Sequence, residues 1–197
     1  MSVSIQFLFD FGSPTSYLAS RALPVIANEA GASIDWQPVL LGGIFQNASP
    51  MEIPQKSAWM QADLERWARR WGVPFEQNPH FPINTLVLQR GSVAYHDSPR
   101  FHHYVQTVFS AMWEHPQNLG DPATLKRVLS DAGFDAAEFL ELTGSADVKA
   151  RLRSNTEEAV RRGVFGCPTF FVNDEMFFGQ DRLDFVREAL EVNAANR

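Results

Sequence analysis

The sequence predicts an α/β fold in which two β-rich ends enclose a long helical block. Residues 1–45 contain two β-prone runs separated by a helical pattern, and residues 163–197 contain two more runs and a closing helix. Residues 46–162 show helical periodicity and no run of a length typical of a strand. We therefore expect one domain made from residues 1–45 and 163–197, split by an all-helical insertion subdomain over residues 46–162.

The composition favours a packed cytoplasmic protein. The chain has 197 residues, of which 45% are apolar, and this fraction is sufficient for a core and argues against disorder. A net charge of -6 disfavours nucleic acid or an anionic membrane as the main partner. The N-terminus lacks the basic region of a signal peptide. The single cysteine, Cys167, excludes an intramolecular disulfide and fits a reducing compartment.

The N-terminal part predicts a β-α-β unit. Ile5–Phe9 has the composition of a buried strand, and Ser13 and Pro14 then match the N-cap and first position of a helix. Apolar residues recur at every fourth position, at Leu18, Ala22 and Ile26. This helix should reach about Asn28, and residues 33–41 should form a second strand. Two strands joined by one helix pair in parallel through a right-handed crossover.

The middle of the chain predicts a series of helices. The first has apolar residues in 4-3-4 spacing at Met60, Leu64, Trp67 and Trp71. A loop rich in proline and asparagine follows over residues 72–84, and further helices begin near Ser98 and Asp121. Helical patterns then run from about Asp135 to Arg162.

The C-terminal part predicts a hairpin and a helix. Residues 164–172 and 175–178 read as strands joined by an Asn-Asp turn. The closing helix begins at about Gln180, with its inward side chains at Leu183, Val186 and Leu190. The full order is β-α-β, a helical block, then β-β-α, which is the order of a thioredoxin-like domain split by a helical subdomain.

Five segments carry a specific likeness to a known family. They are, in order, "FDFGSPTSYLA", "PVLLGGIFQNAS", "FPINTLVLQRG", "GVFGCPTFFV" and "FFGQDRLD". In this order and spacing the chain resembles the 2-hydroxychromene-2-carboxylate isomerase family. That family is close to the kappa-class glutathione transferases, within the thioredoxin-like superfamily that includes DsbA. The resemblance implies the DsbA and kappa-class arrangement of the fold.

The turn after the first strand carries the candidate catalytic group. Thioredoxin-like oxidoreductases hold a Cys-x-x-Cys pair there, whereas this chain has Ser13, Pro14, Thr15 and Ser16. Dithiol exchange is therefore chemically impossible at this turn. The resemblance implies that Ser13 is catalytic and donates a hydrogen bond to the thiolate of bound glutathione, beside free N–H groups at the helix N-terminus. Without the resemblance, the residues favour Ser13 as only the N-cap of the helix, and Ser16 is expected to be a first-turn helix residue.

The resemblance also implies a set of glutathione-binding residues, namely Asn47, Asn84, Cys167, Pro168, Phe178, Gly179, Gln180 and Asp181. The backbone of Cys167, before a cis proline, would clamp the cysteinyl unit, while its thiol is either a small buried group or able to form a mixed disulfide. Gln180 and Asp181 would hold the γ-glutamyl end, although Asp181 also suits the N-cap of the last helix. Asn47 and Asn84 could equally be turn residues.

The resemblance implies a glutathione-dependent isomerase of aromatic degradation. It would interconvert 2-hydroxychromene-2-carboxylate and trans-o-hydroxybenzylidenepyruvate by thiolate addition, bond rotation and elimination. A kappa-like glutathione transferase and a redox-inactive thioredoxin-like binding protein are the alternatives. The adjacent His102 and His103 point apart on a helix, so we expect no metal site. Family members are commonly homodimers, and we expect the same here.

Overall fold

A computed structural model of the chain describes residues 3–45 and 54–195. Its elements are, in chain order, β1 (Ser4–Phe9), α1 (Pro14–Glu29), β2 (Ser33–Pro38), α2 (Leu41–Ile44), α3 (Pro54–Trp71), α4 (Leu86–Tyr95), α5 (Phe101–Trp113), α6 (Pro122–Asp131), α7 (Ala136–Gly144), α8 (Ala146–Arg161), β3 (Thr169–Val172), β4 (Glu175–Phe178), a 3-10 turn (Gln180–Arg182) and α9 (Leu183–Ala195). Within this part of the chain, no helix is long and apolar enough to cross a bilayer.

The four strands form one mixed sheet in the order β2-β1-β3-β4. β1 pairs with β2 in parallel and with β3 in antiparallel, and β3 and β4 form the antiparallel hairpin. Asn173 in the hairpin turn has a positive φ of 55°, a conformation that asparagine tolerates better than most residues. The expected thioredoxin-like fold with helices between its two halves is confirmed.

One face of the sheet carries an aromatic core. Phe7 stacks on Phe170 of the neighbouring strand, with ring centroids 5.3 Å apart, and meets Trp36 edge to face at 4.9 Å. Aromatic pairs of this kind each contribute roughly 0.5–1.5 kcal/mol beyond the area they bury. The same cluster extends through Phe9 to Phe109 of α5, so the sheet and the helical block share one core.

The opposite face of the sheet is covered by α2 and α8. It packs through a smaller set of side chains, which includes Leu8, Val39, Ile44, Ala159 and Phe171. Because side chains alternate along a strand, Phe7 and Leu8 of β1 enter different clusters. The central strands β1 and β3 are therefore mostly buried between the two clusters, whereas the edge strand β4 is mostly exposed.

Helix α4, like the short helix α2, was not predicted from the sequence patterns. The side-chain amide of Gln89 donates to the carbonyl oxygens of Phe9, the last residue of β1, and Val39, which follows β2, at 2.8 and 2.6 Å. A Cβ atom at Gly91 would lie 2.1 Å from the Tyr104 hydroxyl, which donates to the carbonyl of Leu88. Glycine is thus required there by the close approach of α5.

Two predicted elements have different limits. The strand expected over residues 33–41 ends at Pro38, because Leu41 already begins α2. The helical pattern expected from Asp135 to Arg162 is two helices, α7 and α8, divided at Ser145, whose hydroxyl accepts the Val148 N–H. The domain limits at residues 45/46 and 162/163 stay a prediction.

Candidate functional site

Ser13 begins helix α1 and lies at the junction of the two halves of the sheet domain. Its backbone is extended, and its Oγ accepts a hydrogen bond from the Ser16 N–H at 3.0 Å, as expected of an N-cap. The same hydroxyl donates to the carbonyl oxygen of Cys167 at 2.8 Å. Ser13 is only 5% exposed. The hydroxyl therefore connects the first helix to the loop that precedes β3.

Thr15 adds a second hydroxyl to this contact. Its Oγ1 lies 2.8 Å from the Ser13 Oγ and 3.3 Å from the Cys167 carbonyl oxygen. Each hydroxyl has one proton, so when Ser13 donates to the carbonyl, Thr15 can donate to Ser13. Either hydroxyl can donate the hydrogen bond to the Cys167 carbonyl, and the other hydroxyl can then donate to a ligand.

Two backbone N–H groups at this place have no acceptor among residues 3–45 and 54–195. One belongs to Thr15. Among the first three residues of α1, Pro14 has no N–H and the Ser16 N–H is bound to the Ser13 hydroxyl, so the Thr15 N–H is the donor left without an acceptor. The other belongs to Cys167, before the cis bond to Pro168. Unpaired donors at a helix N-terminus, together with a hydroxyl, suit an anionic sulfur or the backbone of a peptide-like ligand.

The thiol of Cys167 is buried. It packs in the cluster on the α8 side of the sheet, with Leu8 and Phe171 among its neighbours in that cluster. Burial raises the pKa of this thiol well above its usual value, and the nearby Asp10 carboxylate raises it further. The side chain thus has the surroundings of a packed residue, and these disfavour the thiolate that a mixed disulfide requires.

The segment after β4 lies against the cis proline. The Gly179 N–H donates to the Pro168 carbonyl at 2.9 Å, and Gly179 has a φ of 98°, which a residue with a side chain would strain to adopt. Gln180 follows and is buried. Ser13, Cys167, Pro168, Gly179 and Gln180 are therefore consecutive neighbours in space, although the first is far from the others in sequence.

The expectation that Asp181 caps the last helix is wrong. Asp181 lies inside the 3-10 turn, whose N-cap is Gly179, and its carboxylate pairs with Arg182 at 3.1 Å. Because this side chain is 40% exposed, it remains accessible to a ligand. Phe178 is also exposed and packs against Phe165, with centroids 4.5 Å apart.

The two candidate asparagines have different outcomes. Asn84 is exposed, and its Oδ1 accepts the Leu86 N–H at 3.0 Å, which is an Asx turn ahead of α4. The turn alternative therefore accounts for Asn84. Asn47 lies outside the described residues.

Asp10 holds the segments around the site together through hydrogen bonds, and the sequence analysis did not predict this role. Its fully buried carboxylate accepts the Gly12 and Leu41 N–H groups and the Thr85 hydroxyl, each at 2.8 Å. Burial raises its pKa, and these three hydrogen bonds oppose that rise. The Ser13 N–H also donates to the Asp10 carbonyl at 3.0 Å. One residue thus connects the Ser13 turn to the N-termini of α2 and α4.

A family model of the DSBA-like thioredoxin domain matches residues 4–191. The chain belongs to this family. It is also similar to a 2-hydroxychromene-2-carboxylate isomerase of Sphingobium xenophagum, at 32% identity over 96% of this chain and 99% of the relative. An isomerase of the same name from Pseudomonas putida is 31% identical over 94% and 93% of the two chains. These matches confirm the family resemblance and identify the chain as a member of an isomerase family.

Other relatives broaden this picture. Glutathione S-transferase kappa 2 of Caenorhabditis elegans is 30% identical over 94% of this chain and 91% of its own. A solved structure of 2-hydroxychromene-2-carboxylate isomerase superposes with a TM-score of 0.86 at 28% identity, covering 98% of this chain and 97% of that one. Within the described ranges, no three His, Cys, Asp or Glu side chains are grouped so as to hold a metal ion.

Proposed function

We propose that this protein is a glutathione-dependent isomerase that interconverts 2-hydroxychromene-2-carboxylate and trans-o-hydroxybenzylidenepyruvate in the degradation of aromatic compounds. The observation that carries the proposal is the Ser13 hydroxyl at the N-terminus of α1, in contact with the Cys167 carbonyl. It lies where a dithiol oxidoreductase has its first sulfur. The similarity to isomerases over the full chain supports the same conclusion.

The residues around this hydroxyl suit glutathione. The unpaired N–H of Cys167 and the edge of the cis proline would hold its cysteinyl unit in an extended, strand-like pairing. Gln180 and the accessible Asp181 carboxylate would hold the γ-glutamyl end, whose ammonium is the natural partner of a carboxylate. When bound, glutathione supplies a thiolate that adds reversibly to the conjugated double bond of the ring-opened keto acid and so permits rotation about that bond.

Ser13 stabilises this thiolate by turning its proton away from the Cys167 carbonyl. Thr15 lowers the free-energy cost of this movement, because its hydroxyl lies 3.3 Å from the same carbonyl and donates a hydrogen bond there in place of Ser13. The Oγ of Ser13 keeps the Ser16 N–H, so the helix cap is preserved while the proton moves. The Thr15 N–H and the helix dipole add further stabilisation of the negative charge.

The test is an incubation of the purified protein with glutathione and the chromene carboxylate, followed spectroscopically together with a count of free thiols. An isomerase forms the ring-opened product and leaves the thiol count unchanged. No conversion, together with no saturable heat when glutathione is titrated to millimolar concentration, would overturn the proposal.

A kappa-like glutathione transferase is the second candidate, favoured by the similarity to the kappa enzyme of Caenorhabditis elegans. In that case the sulfur stays attached to an electrophile, so the free-thiol count falls as product accumulates.

A cytoplasmic location and a homodimeric assembly also remain proposals. The single cysteine of the chain supports the first of them.

A further inference from the structure

A large cavity lies between α2, the start of α4 and α8. Its volume is about 750 Å³, which is within the range of roughly 300–1,000 Å³ that small-molecule sites occupy. Leu40 and Leu86 line it, and each is adjacent in sequence to a residue that donates to the Asp10 carboxylate. The cavity therefore borders the same junction that positions the catalytic turn.

The lining of the cavity combines apolar walls with positive charge. The walls include the leucine and valine side chains of Leu40, Leu86, Leu152 and Val160. The charged lining consists of Arg90, Lys149, Arg153, Arg161 and a single carboxylate, Glu157. In the part of the chain that the structure describes, Arg161 pairs with Glu158, whereas Arg90, Lys149 and Arg153 have no carboxylate within 4.0 Å. This excess of cations is local, because the whole chain has a net charge of -6.

Arg90 is the least exposed of these cations and is incompletely satisfied. Its side chain is half-buried, and its Nε is buried with no hydrogen-bond partner. A buried polar group without a partner is destabilising. The Nε itself has no accessible surface, so a ligand in the cavity would contact the two terminal nitrogens of the guanidinium, which are not buried and have no hydrogen-bond partner in the described part of the chain. The guanidinium matches a carboxylate because its two parallel N–H groups can donate to both oxygens.

We propose that this cavity binds the ring of an aromatic carboxylate substrate, with Arg90 holding the carboxylate and the leucines packing against the ring. The inference rests on the proposed function and extends it, since it assigns the recognition of the substrate to residues that do not touch glutathione. The exposed Lys149 and Arg153 attract the anion to the mouth of the cavity. Arg90 then selects for a negative charge beside an apolar ring.

The test is calorimetric titration with trans-cinnamate, an aromatic carboxylate, and with the neutral cinnamamide, in the presence and absence of glutathione. The wild-type protein should bind cinnamate at least about tenfold more tightly than cinnamamide, and this ratio corresponds to a difference in binding free energy of roughly 1.4 kcal/mol. Arg90→Gln should abolish this preference, and Arg90→Lys should retain part of it. Arg127→Gln, at an exposed arginine of α6 that does not line the cavity, should behave as wild type.

Kinetics with the chromene carboxylate give a second measurement. Arg90→Gln should raise KM about tenfold or more and change kcat much less, because the carboxylate is held equally before and during the reaction. If cinnamate and cinnamamide bind wild type equally, or neither binds, the proposal is overturned without any variant. If Arg90→Gln isomerises with an unchanged KM, the cavity assignment fails and the proposed function stands. If cinnamate binding depends on Arg90 but no isomerisation occurs, the cavity stands and the proposed function fails.

Discussion

Replacing Ser13 with alanine tests the central contact of the site. The change removes the cap on the Ser16 N–H and the hydrogen bond to the Cys167 carbonyl. Loss of an N-cap costs about 1 kcal/mol. For a chain of this size, a loss of about 1 kcal/mol lowers Tm by roughly 2–4 °C. Ser13→Ala should therefore fold and remain testable at room temperature.

The larger effect should be on the thiol of bound glutathione. A free thiol has a pKa near ~8.5, and lowering it by about two units requires about 2.7 kcal/mol of stabilisation of the thiolate. A hydrogen bond to a charged acceptor contributes roughly 1.5–3 kcal/mol, and a helix N-terminus adds roughly 0.3–1 kcal/mol. Removing the hydroxyl should raise the thiol pKa by about 1–2 units, since each unit equals about 1.36 kcal/mol.

The assay is a titration of the thiolate absorbance of glutathione bound to each protein, with isomerase rates measured on the same samples. At neutral pH the thiolate fraction should fall from about three-quarters to about one-tenth, for a pKa that moves from about 6.5 to about 8. Ser16→Ala is the matched control, because its buried hydroxyl has no hydrogen-bond partner in the described part of the chain. A wild-type thiol pKa in Ser13→Ala, or an equal rise in Ser16→Ala, would refute the reasoning.

Three further predictions concern the second hydroxyl, the packing of α4 and an acid-sensitive ion pair. Thr15→Val should raise the thiol pKa by about half to one unit, from loss of about 1 kcal/mol, and Thr15→Ser should restore it; equal titration curves would exclude Thr15. Gly91→Ala should destabilise by about 2–3 kcal/mol in urea unfolding, whereas Gly144→Ala, with open space around it, should not; equal effects would contradict the packing argument. The pKa of Asp97 is lowered to about 2, first by the hydrogen bond from Arg151, so its stabilisation is complete above the ordinary value of 3.8 and is lost as the pH falls toward 2. Because Asp97 is 76% exposed, Asp97→Asn should cost only about 0.5 kcal/mol near neutral pH and clearly less near pH 2, where the carboxyl is partly protonated; an equal loss at both would contradict this assignment.

The strands and most helices could be predicted because their signals are local. Ile5–Phe9 is apolar apart from Gln6, and Pro14 and Pro122 each follow a residue whose side chain caps the helix. Helix α4 could not be predicted in this way. Thr85 precedes it but gives its hydroxyl to Asp10, and Gly91 in its middle is a weak helix former that is retained for the contact with α5.

The site was predictable only where the family motifs name its residues. Ser13 could be recognised from its helix-start pattern and from the missing sulfurs, but its contact with Cys167 joins residues 154 positions apart. Asp10 has no sequence signal beyond being a carboxylate at the end of a buried strand, because its three donors come from separate segments. Arg90 also has no sequence signal, because its apolar surroundings arise only when α4 packs against α8.

The triple hydrogen bond to Asp10 has a consequence for how the enzyme would respond to its substrate. A ligand that displaces Leu41 at the start of α2, or Thr85 just before α4, would disturb hydrogen bonds to Asp10, whose backbone carbonyl also accepts the Ser13 N–H. A displacement at either of these two positions would reach the Ser13 turn through a single residue, Asp10. Binding in the proposed substrate cavity and the position of the Ser13 hydroxyl would accordingly be coupled through Asp10.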